Sequence, residues 1–503
     1  MFGSIMFFIF IPLFMGYFIV SRWKELTNLV EVLFISYGVG LGLFCIISIV
    51  FNLFHIPLFY TLYFLIASIL LRFSKFKKLN KPDKFDYIAL LIMLGTMIVM
   101  LIGAYAYPYL EDSDPWQHAE SSKYISIKMT AYQGDNHFHY IDPYPPSYDI
   151  LMGVIHQLND SIFHTLKILN ALLIGFGVMF FYYFSKVFLK DKKKAVYATA
   201  IISLTPCFMS HFIWSQTLAV ILMFIAWYCI EKGKIYTSIL MVAAIYVTQP
   251  SVALIFSVMV GIIFLVRNRF DSMNYIYIVY IILGGLVVCL LWYGVMFNDY
   301  GVKGTYLGMG SAPDIFINKT SDTSDGLVYY PLDFIIARPH TKIDQPTGLG
   351  VPIFFLLMFG LYLIWDKKLY KEKWVRITLF WLLFTFIGIE GNLFPFKLFP
   401  HRFWVFFAIP VAYICCISID YLVKDKKSLI FLFLIILALS GVIRIQTQTT
   451  QWTTHCGVDC VNETIEMAEN LSNYPKNTYI NSSDRRIIGF DMCNKRWCKN
   501  ERT

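Results

Sequence analysis

The chain has 503 residues, of which 57% are hydrophobic and only 15% are charged, and its formal net charge is +9. So little charge among so many apolar residues excludes an ordinary water-soluble domain and indicates a protein embedded in lipid. The positive charge does not indicate nucleic-acid binding, because the basic residues occupy short segments between apolar runs.

Apolar runs of roughly membrane-spanning length recur along the chain. A span needs about 20 apolar residues, so we predict an all-α polytopic membrane protein with about 11 to 14 transmembrane helices. The opening run is interpreted as the first of these spans. The predicted spans are 3–20, 29–51, 56–72, 86–107, 163–188, 195–210, 212–230, 236–250, 251–266, 275–297, 351–365, 374–393, 403–422 and 428–444.

The short lysine- and arginine-rich segments give the orientation, since cytoplasmic loops of membrane proteins carry an excess of these residues. These segments are 72–84, 190–194, 267–269, 366–376 and 424–427. We therefore predict a multi-pass protein of the cell membrane, with extra N-terminal helices in 1–85 and a transmembrane core in 86–444. The long loops 108–162 and 298–350 and the tail 445–503 are then external.

The segment from Tyr107 to Tyr148 concentrates carboxylates and imidazoles at one membrane surface. In it, Asp114 precedes Pro115 and Trp116, and an aspartate before a proline is typical of a helix start. We predict a surface helix capped by Asp114, with Trp116 as its interfacial anchor. Asp114 then either only caps this helix or also activates or orients an acceptor, with Asp112 sharing a cation or raising its proton affinity.

A metal site is a second hypothesis for this loop. His137 and His139 flank Phe138, so in an extended segment their side chains point to the same side. Together with Asp112 and Asp114 they are candidate ligands for a divalent cation such as manganese or magnesium. The alternative is that both histidines are ordinary surface residues.

Several middle spans are short, and polar residues stand at their predicted external ends. One interpretation is that these residues are ordinary interfacial groups. The other is that they form, with His118 and Trp116 of the first loop, a cavity for the acceptor. The residues concerned are His211, Gln216 and Gln249.

A late span begins at its predicted external end with His401 and Arg402. An arginine at that depth is costly unless it meets an anion, and its planar guanidinium suits a phosphate. We therefore predict a phosphate-binding role for Arg402 and His401, with Arg338 as a weaker candidate. The alternative is an arginine that extends to the membrane surface.

The tail contains Cys456, Cys460, Cys493 and Cys498. In an external compartment, two disulfides would staple so short a segment, and three pairings remain open. A zinc site that includes His455 is the alternative.

Two stretches resemble a known family. EDSDPWQHAESSKYIS, starting at Glu111, resembles the Asp-Pro-Trp loop of oligosaccharyltransferase catalytic subunits, and HRFWVFFAIP, starting at His401, resembles a late arginine-bearing span of that group. With a Pro-Pro-Ser-Tyr entry at 145–148 and two long external loops, the chain resembles the GT-C fold membrane glycosyltransferases. The resemblance implies that Asp114 holds the acceptor and a metal.

Two features of the oligosaccharyltransferases are missing from this chain. Ser215 and Gln216 stand where their second acidic motif is expected, and their Trp-Trp-Asp-Tyr-Gly motif does not occur. We therefore expect weak or absent dependence on divalent cations. Other members of the superfamily, such as protein mannosyltransferases and lipid A aminoarabinose transferases, use a loop aspartate and a polyprenyl-phosphate sugar.

The resemblance implies a membrane-embedded glycosyltransferase whose active site faces outside. The donor would be a sugar linked to polyprenyl phosphate or diphosphate, and the acceptor a lipid, glycan or protein. The alternatives are protein glycosylation of the oligosaccharyltransferase type, a transporter or flippase for lipid-linked sugars, and a scaffold without activity.

Overall fold

The computed structural model describes residues 1–107, 109–111, 113–133, 138, 140–268, 272–308, 328–337, 348–393, 400–425 and 427–450. Within these ranges the chain is helical and forms no strand beyond an isolated bridge between Asn28 and Asn80. The α-helices are α1 (Phe2–Val20), α2 (Leu29–Leu53), α3 (Tyr60–Arg72), α4 (Lys84–Tyr105), α5 (Ser113–Lys128), α6 (Ser147–His156), α7 (Ile162–Leu189), α8 (Lys192–Leu204), α9 (Ser215–Glu231), α10 (Ile235–Tyr246), α11 (Pro250–Asn268), α12 (Ser272–Gly308), α13 (Pro331–Ile335), α14 (Val351–Asp366), α15 (Lys373–Ile389), α16 (Pro400–Asp425) and α17 (Lys427–Thr450).

Each predicted span coincides with one of these helices, and the all-α polytopic fold is confirmed. In the described part of the chain, seven helices are long and apolar enough to cross a membrane, namely α1, α2, α4, α7, α11, α12 and α16. Shorter apolar helices are α3, α9, α10, α14 and α17. The predicted span 195–210 is too long, because α8 ends at Leu204 and Pro206 excludes the helical conformation for Thr205.

Helices α7 and α16 form the interior of the bundle, because 83% and 89% of their most apolar stretches are buried. Only 28% of the most apolar stretch of α12 is buried, and its outer face carries large apolar side chains such as Tyr280 and Val287. In lipid such a face needs no protein cover. Helices α7 and α16 are therefore enclosed by other parts of the chain, whereas α12 has an outward apolar face.

The N-terminal helices are joined to this bundle by close packing. A Cβ atom on Gly16 of α1 would lie 1.8 Å from the Ser36 carbonyl oxygen of α2, so only glycine permits this approach. Helix α2 in turn packs on α6, α7, α9 and α10. The division at residue 85 remains a prediction.

The lysine-rich segments meet at one end of the bundle. Lys192 pairs with Asp83 at 2.5 Å, and Lys193 pairs with Asp420 at 3.4 Å. Lys373 donates a hydrogen bond to the Arg267 carbonyl oxygen at 3.2 Å. The loops that were predicted to share one side of the membrane therefore share one end of the molecule, called here the lysine-rich end. The opposite end, formed by residues 109–161 and 205–214, is called the site end.

Candidate active site

Helix α5 brings Asp114 to the site end. It begins at Ser113, so Asp114 lies in its first turn and is not the cap that the sequence predicted. A carboxylate in the first turn still interacts favourably with the helix dipole. Trp116 is fully buried, where an interfacial anchor was expected. Its indole N–H donates to the Leu110 carbonyl oxygen at 2.9 Å, which fixes the start of the helix.

Tyr140 lies close enough to Asp114 for the charge of the Asp114 carboxylate to act on its hydroxyl. Burial raises the pKa of Tyr140 well above its ordinary value, and the Asp114 charge raises it further. The hydroxyl therefore stays protonated. Nothing in the sequence distinguishes Tyr140 from the other tyrosines of a chain that contains 33 of them.

The imidazole ring of His118 stacks on the ring of Tyr140. The two rings stack with centroids 3.9 Å apart and planes 8° from parallel. His118 Nδ1 lies 3.0 Å from both carboxylate oxygens of Asp149 on α6, and Ser122 donates to Asp149 at 3.1 Å. His118 is only 1% exposed, so it supports the site from within and does not line an open cavity.

His211, another predicted cavity residue, is also buried by internal partners. Its Nε2 lies 2.6 Å from a Glu111 carboxylate oxygen and its Nδ1 lies 2.9 Å from the Gln448 side-chain oxygen. Both ring nitrogens of His211 thus lie within hydrogen-bonding distance of an oxygen atom. Asn170 donates to the carbonyl oxygens of His211 and Phe212, both at 3.0 Å. These contacts fix the connection between α8 and α9.

Arg402 enters from the first turn of α16. Its charge acts on the hydroxyls of both Tyr140 and Tyr144, where it opposes the increase in pKa. Gln216 donates to the Arg402 carbonyl oxygen at 3.4 Å, which ties α9 to the start of α16. Asp114 and Arg402, from distant parts of the sequence, are therefore both close enough to Tyr140 for their charges to act on its hydroxyl. His401 precedes Arg402 in the same helical turn.

Uncharged polar groups surround the Tyr144 hydroxyl, and together they are called here the floor of the site. The Tyr144 hydroxyl lies 2.9 Å from the Ser215 hydroxyl and 2.5 Å from the Gln249 side-chain oxygen. Burial raises the pKa of Tyr144 to about 12, so the hydroxyl remains neutral. Gln216 and Gln249 are each 1% exposed, so they form the floor of the site and not its open wall.

The metal hypothesis rests mainly on Asp112, His137 and His139, which lie outside the described residues. Arg338 also lies outside them, as do the four cysteines of the tail. In the described part of the chain, His, Cys, Asp and Glu form no group of three that fits a metal ion.

An apolar groove runs beside α16, bounded by α13, α14 and α15. Its volume is about 470 Å³, and Glu390 is its only ionisable lining residue in the described part of the chain. Phe407 lines the groove five residues after Arg402, or about 7.5 Å along the helix axis. The groove therefore begins within two helical turns of Arg402.

Comparison with known proteins gives similarity at the level of structure alone. No protein-family model and no curated protein matches the chain. It is similar to ArnT from Cupriavidus metallidurans bound to undecaprenyl phosphate, with a TM-score of 0.58 and 11% identity over 81% of this chain and 85% of that chain.

The oligosaccharyltransferase of Archaeoglobus fulgidus, tethered with an acceptor peptide containing the NVT sequon, has a TM-score of 0.50 and 12% identity over 81% of this chain. The match spans 63% of that chain, which is less than two thirds of its length. The apo form of the same enzyme gives a TM-score of 0.49. The similarity to ArnT confirms the GT-C-like fold of a multi-pass membrane protein.

Proposed function

We propose that this chain is a membrane glycosyltransferase that transfers a sugar from a polyprenyl-phosphate or diphosphate carrier to a hydroxyl or amide acceptor. The observation that carries the proposal is that the charges of Asp114 and Arg402 both act on the hydroxyl of one tyrosine, Tyr140, and that an apolar groove begins within two helical turns of Arg402. A base, an anion-binding group and a lipid groove are the three parts that such a reaction requires.

Arg402 is the group that fits the donor phosphate. Its planar guanidinium donates to two phosphate oxygens at once, and a site partly screened from water strengthens this contact. The groove beside α16 begins close to Arg402, so a carrier whose phosphate meets Arg402 would place its isoprenoid chain between α14, α15 and α16. Undecaprenyl phosphate, which the similar ArnT binds, is such a carrier.

Asp114 is the group that fits the acceptor. In the proposed step its carboxylate takes the proton of the acceptor, and the acceptor atom forms a bond to the anomeric carbon of the sugar. The bond between that carbon and the phosphate oxygen breaks, and the phosphate leaves with the electron pair. Arg402 stabilises the charge that develops on this oxygen, and such electrostatic stabilisation is usually the largest single contribution.

The first test separates chemistry from lipid binding. Asp114→Asn keeps the size of the side chain, so the melting temperature should barely change. Transfer of radiolabelled hexose from synthetic undecaprenyl-phosphate hexoses to acceptors in native membranes should fall about 10²–10⁴-fold, as for loss of a general base. Full transfer by folded Asp114→Asn protein would remove Asp114 from the mechanism.

Binding of undecaprenyl phosphate is the second arm of this test. The lipid should raise the melting temperature of the wild type and of Asp114→Asn alike, since a ligand of the folded state stabilises it. Arg402→Ala should abolish the increase, and Arg402→Lys should restore only part of it, because lysine keeps the charge without the planar fork. Arg72→Ala, at an exposed position at the end of α3, is the matched control. Lipid binding without any transfer would favour a transporter.

A further inference from the structure

We infer that Glu111 is a positioning residue for Asp114, and that His211 and Gln448 of α17 hold Glu111 in place. The inference rests on the proposed function, because it assigns to Glu111 a role in the step that Asp114 performs. Its structural basis is a series of hydrogen-bonding contacts that joins the residue just before α5 to α17, two parts of the chain that are distant in the sequence.

The start of α5 needs support because of its place in the helix. The first four N–H groups of a helix have no partner within it, so helix ends fray unless other contacts hold them. Asp114 lies in this first turn. The Trp116 indole N–H donates to the Leu110 carbonyl oxygen at 2.9 Å and closes the short loop 110–116, which contains both Glu111 and Asp114. A contact that fixes Glu111 therefore restricts the movement of Asp114.

His211 is the residue that fixes Glu111. Its Nε2 lies 2.6 Å from a carboxylate oxygen of Glu111. Glu111 is 7% exposed and His211 is 3% exposed, so water competes little for this contact. Breaking it would leave a buried polar group without a partner, which is costly. The two side chains are therefore held in one relative orientation.

Gln448 fixes His211 in turn. Its side-chain oxygen accepts a hydrogen bond from the His211 backbone N–H at 2.9 Å and lies 2.9 Å from the ring Nδ1. A single acceptor thus holds both the backbone and the ring of His211. Gly103 of α4 closes the remaining space, because a Cβ atom there would lie 2.6 Å from His211 Nδ1 and 2.9 Å from the Gln448 carbonyl oxygen.

Arg444 holds the segment that carries His211 at two further points. Its guanidinium donates to the Pro206 carbonyl oxygen at 2.7 Å and also to the Met209 carbonyl oxygen. Arg444 and Gln448 are four residues apart, so they lie on one face of α17. This face therefore holds the connection between α8 and α9 from Pro206 to His211, which makes it a firm support for Glu111.

The first test is Glu111→Leu, which removes the carboxylate and leaves a side chain of comparable size. It should lower kcat roughly 10- to 100-fold in the transfer assay, because a misplacement of about 1 Å at a reacting group costs about 10²-fold. The KM for the undecaprenyl-phosphate hexose should not change, since Arg402 is untouched. Glu111→Gln, which keeps a hydrogen bond to His211, should recover most of the activity. The melting temperature reports that each variant is folded.

Gln448→Leu tests the same series from α17 without a change near α5. It should lower kcat and leave KM unchanged. Combined with Glu111→Leu it should lower kcat no further than Glu111→Leu alone, because both substitutions interrupt one series of contacts. Multiplied losses would show that the two residues act independently, and would overturn the inference. If Glu111→Leu does not fold, a normal kcat of Gln448→Leu overturns it.

Glu31→Leu is the matched control. Glu31 is also a buried carboxylate, but it lies near the lysine-rich end, where it pairs with Lys186 at 2.7 Å and accepts from Tyr228 at 2.9 Å. Its loss should lower the melting temperature and leave the kcat of the folded protein unchanged. An equal loss of kcat in Glu31→Leu and Glu111→Leu would mean that kcat follows stability alone, and would overturn the inference.

A double variant separates this inference from the proposed function. If Glu111 acts through Asp114, Glu111→Leu should cause no further loss in an Asp114→Asn background. A further loss there, or a normal kcat of Glu111→Leu while Asp114→Asn is inactive, would overturn the role of Glu111 and leave the proposed function standing. Full activity of Asp114→Asn would overturn both.

Discussion

At the scale of single residues, four carboxylates at the site end have different surroundings. Glu111 pairs with His211, Asp149 with His118 and Ser122, and Asp142 accepts from Tyr300 and Gln133. Asp114 is partly exposed, whereas the other three are buried. Of the four, Asp114 is therefore the carboxylate that a substrate can reach.

Asp142 gives a prediction for pH. Burial raises its pKa from 3.8 to about 6, although hydrogen bonds from Tyr300 and Gln133 lower it. The folded protein thus holds this proton more tightly than the unfolded chain. The resulting stability is fully present below about pH 4 and is lost as the pH rises through about 6. Asp142→Asn, which can keep both contacts, should remove this dependence.

The measurement is the melting temperature of wild type minus that of Asp142→Asn, which should fall between about pH 5 and about pH 7.5. Asp160→Asn, at an exposed aspartate after α6, is the control and should show a constant difference. A difference for Asp142→Asn that grows with pH would show that the ionised form of Asp142 is the one that the fold prefers.

Parts of this site could be predicted from sequence because the residues have local signatures. Asp114 stands before a proline at a helix start, and Arg402 opens an apolar span. Tyr140 and Asp149 have no such signature, since their roles depend on contacts between separate elements. The burial of His118 and His211, which were predicted to line a cavity, could not be foreseen for a related reason. Sequence shows that His118 and His211 are polar, but not that each has a buried carboxylate to face.

At the scale of elements, long apolar runs were sufficient to locate every predicted span, because lipid imposes the helical pattern on each one. Shorter elements were not predicted. Helix α13 has five residues and no periodicity to detect, although Phe334 within it packs on Trp404 of α16 at 4.8 Å. The groove could not be foreseen, since it depends on how α13 sits between α14 and α15.

The groove makes an element-scale prediction. Leu383 lines it from α15 and is 54% exposed, so Leu383→Trp should fill the groove without overpacking the core. Each displaced methylene contact of the lipid costs about 0.8 kcal/mol, so losing two should weaken binding of undecaprenyl phosphate roughly tenfold. Farnesyl phosphate, with its much shorter chain, should be affected less.

Leu94→Trp is the control for this substitution, because Leu94 is an exposed leucine of α4 that does not line the groove. It should leave the increase in melting temperature with undecaprenyl phosphate unchanged. Equal weakening by both variants would mean that the isoprenoid chain lies elsewhere on the bundle.

At the scale of the whole molecule, the distribution of charge and the position of the site are linked. The lysine-rich segments meet at one end, and Asp114, Tyr140 and Arg402 gather at the other. Basic residues near spans favour the cytoplasmic side. We therefore predict that the site opens to the outer face, where it would use donors that have already crossed the membrane.

Cysteine labelling in intact cells tests this orientation. Asp160→Cys marks the site end and Lys78→Cys marks the lysine-rich end, and both positions are exposed. The cysteines of the described residues are buried, so substituting the four tail cysteines by serine should leave little background. A membrane-impermeant maleimide should label Asp160→Cys directly and Lys78→Cys only after permeabilisation. The reverse pattern would place Asp114 and Arg402 in the cytoplasm, and the donor would then have to be used on the side where lipid-linked sugars face before translocation.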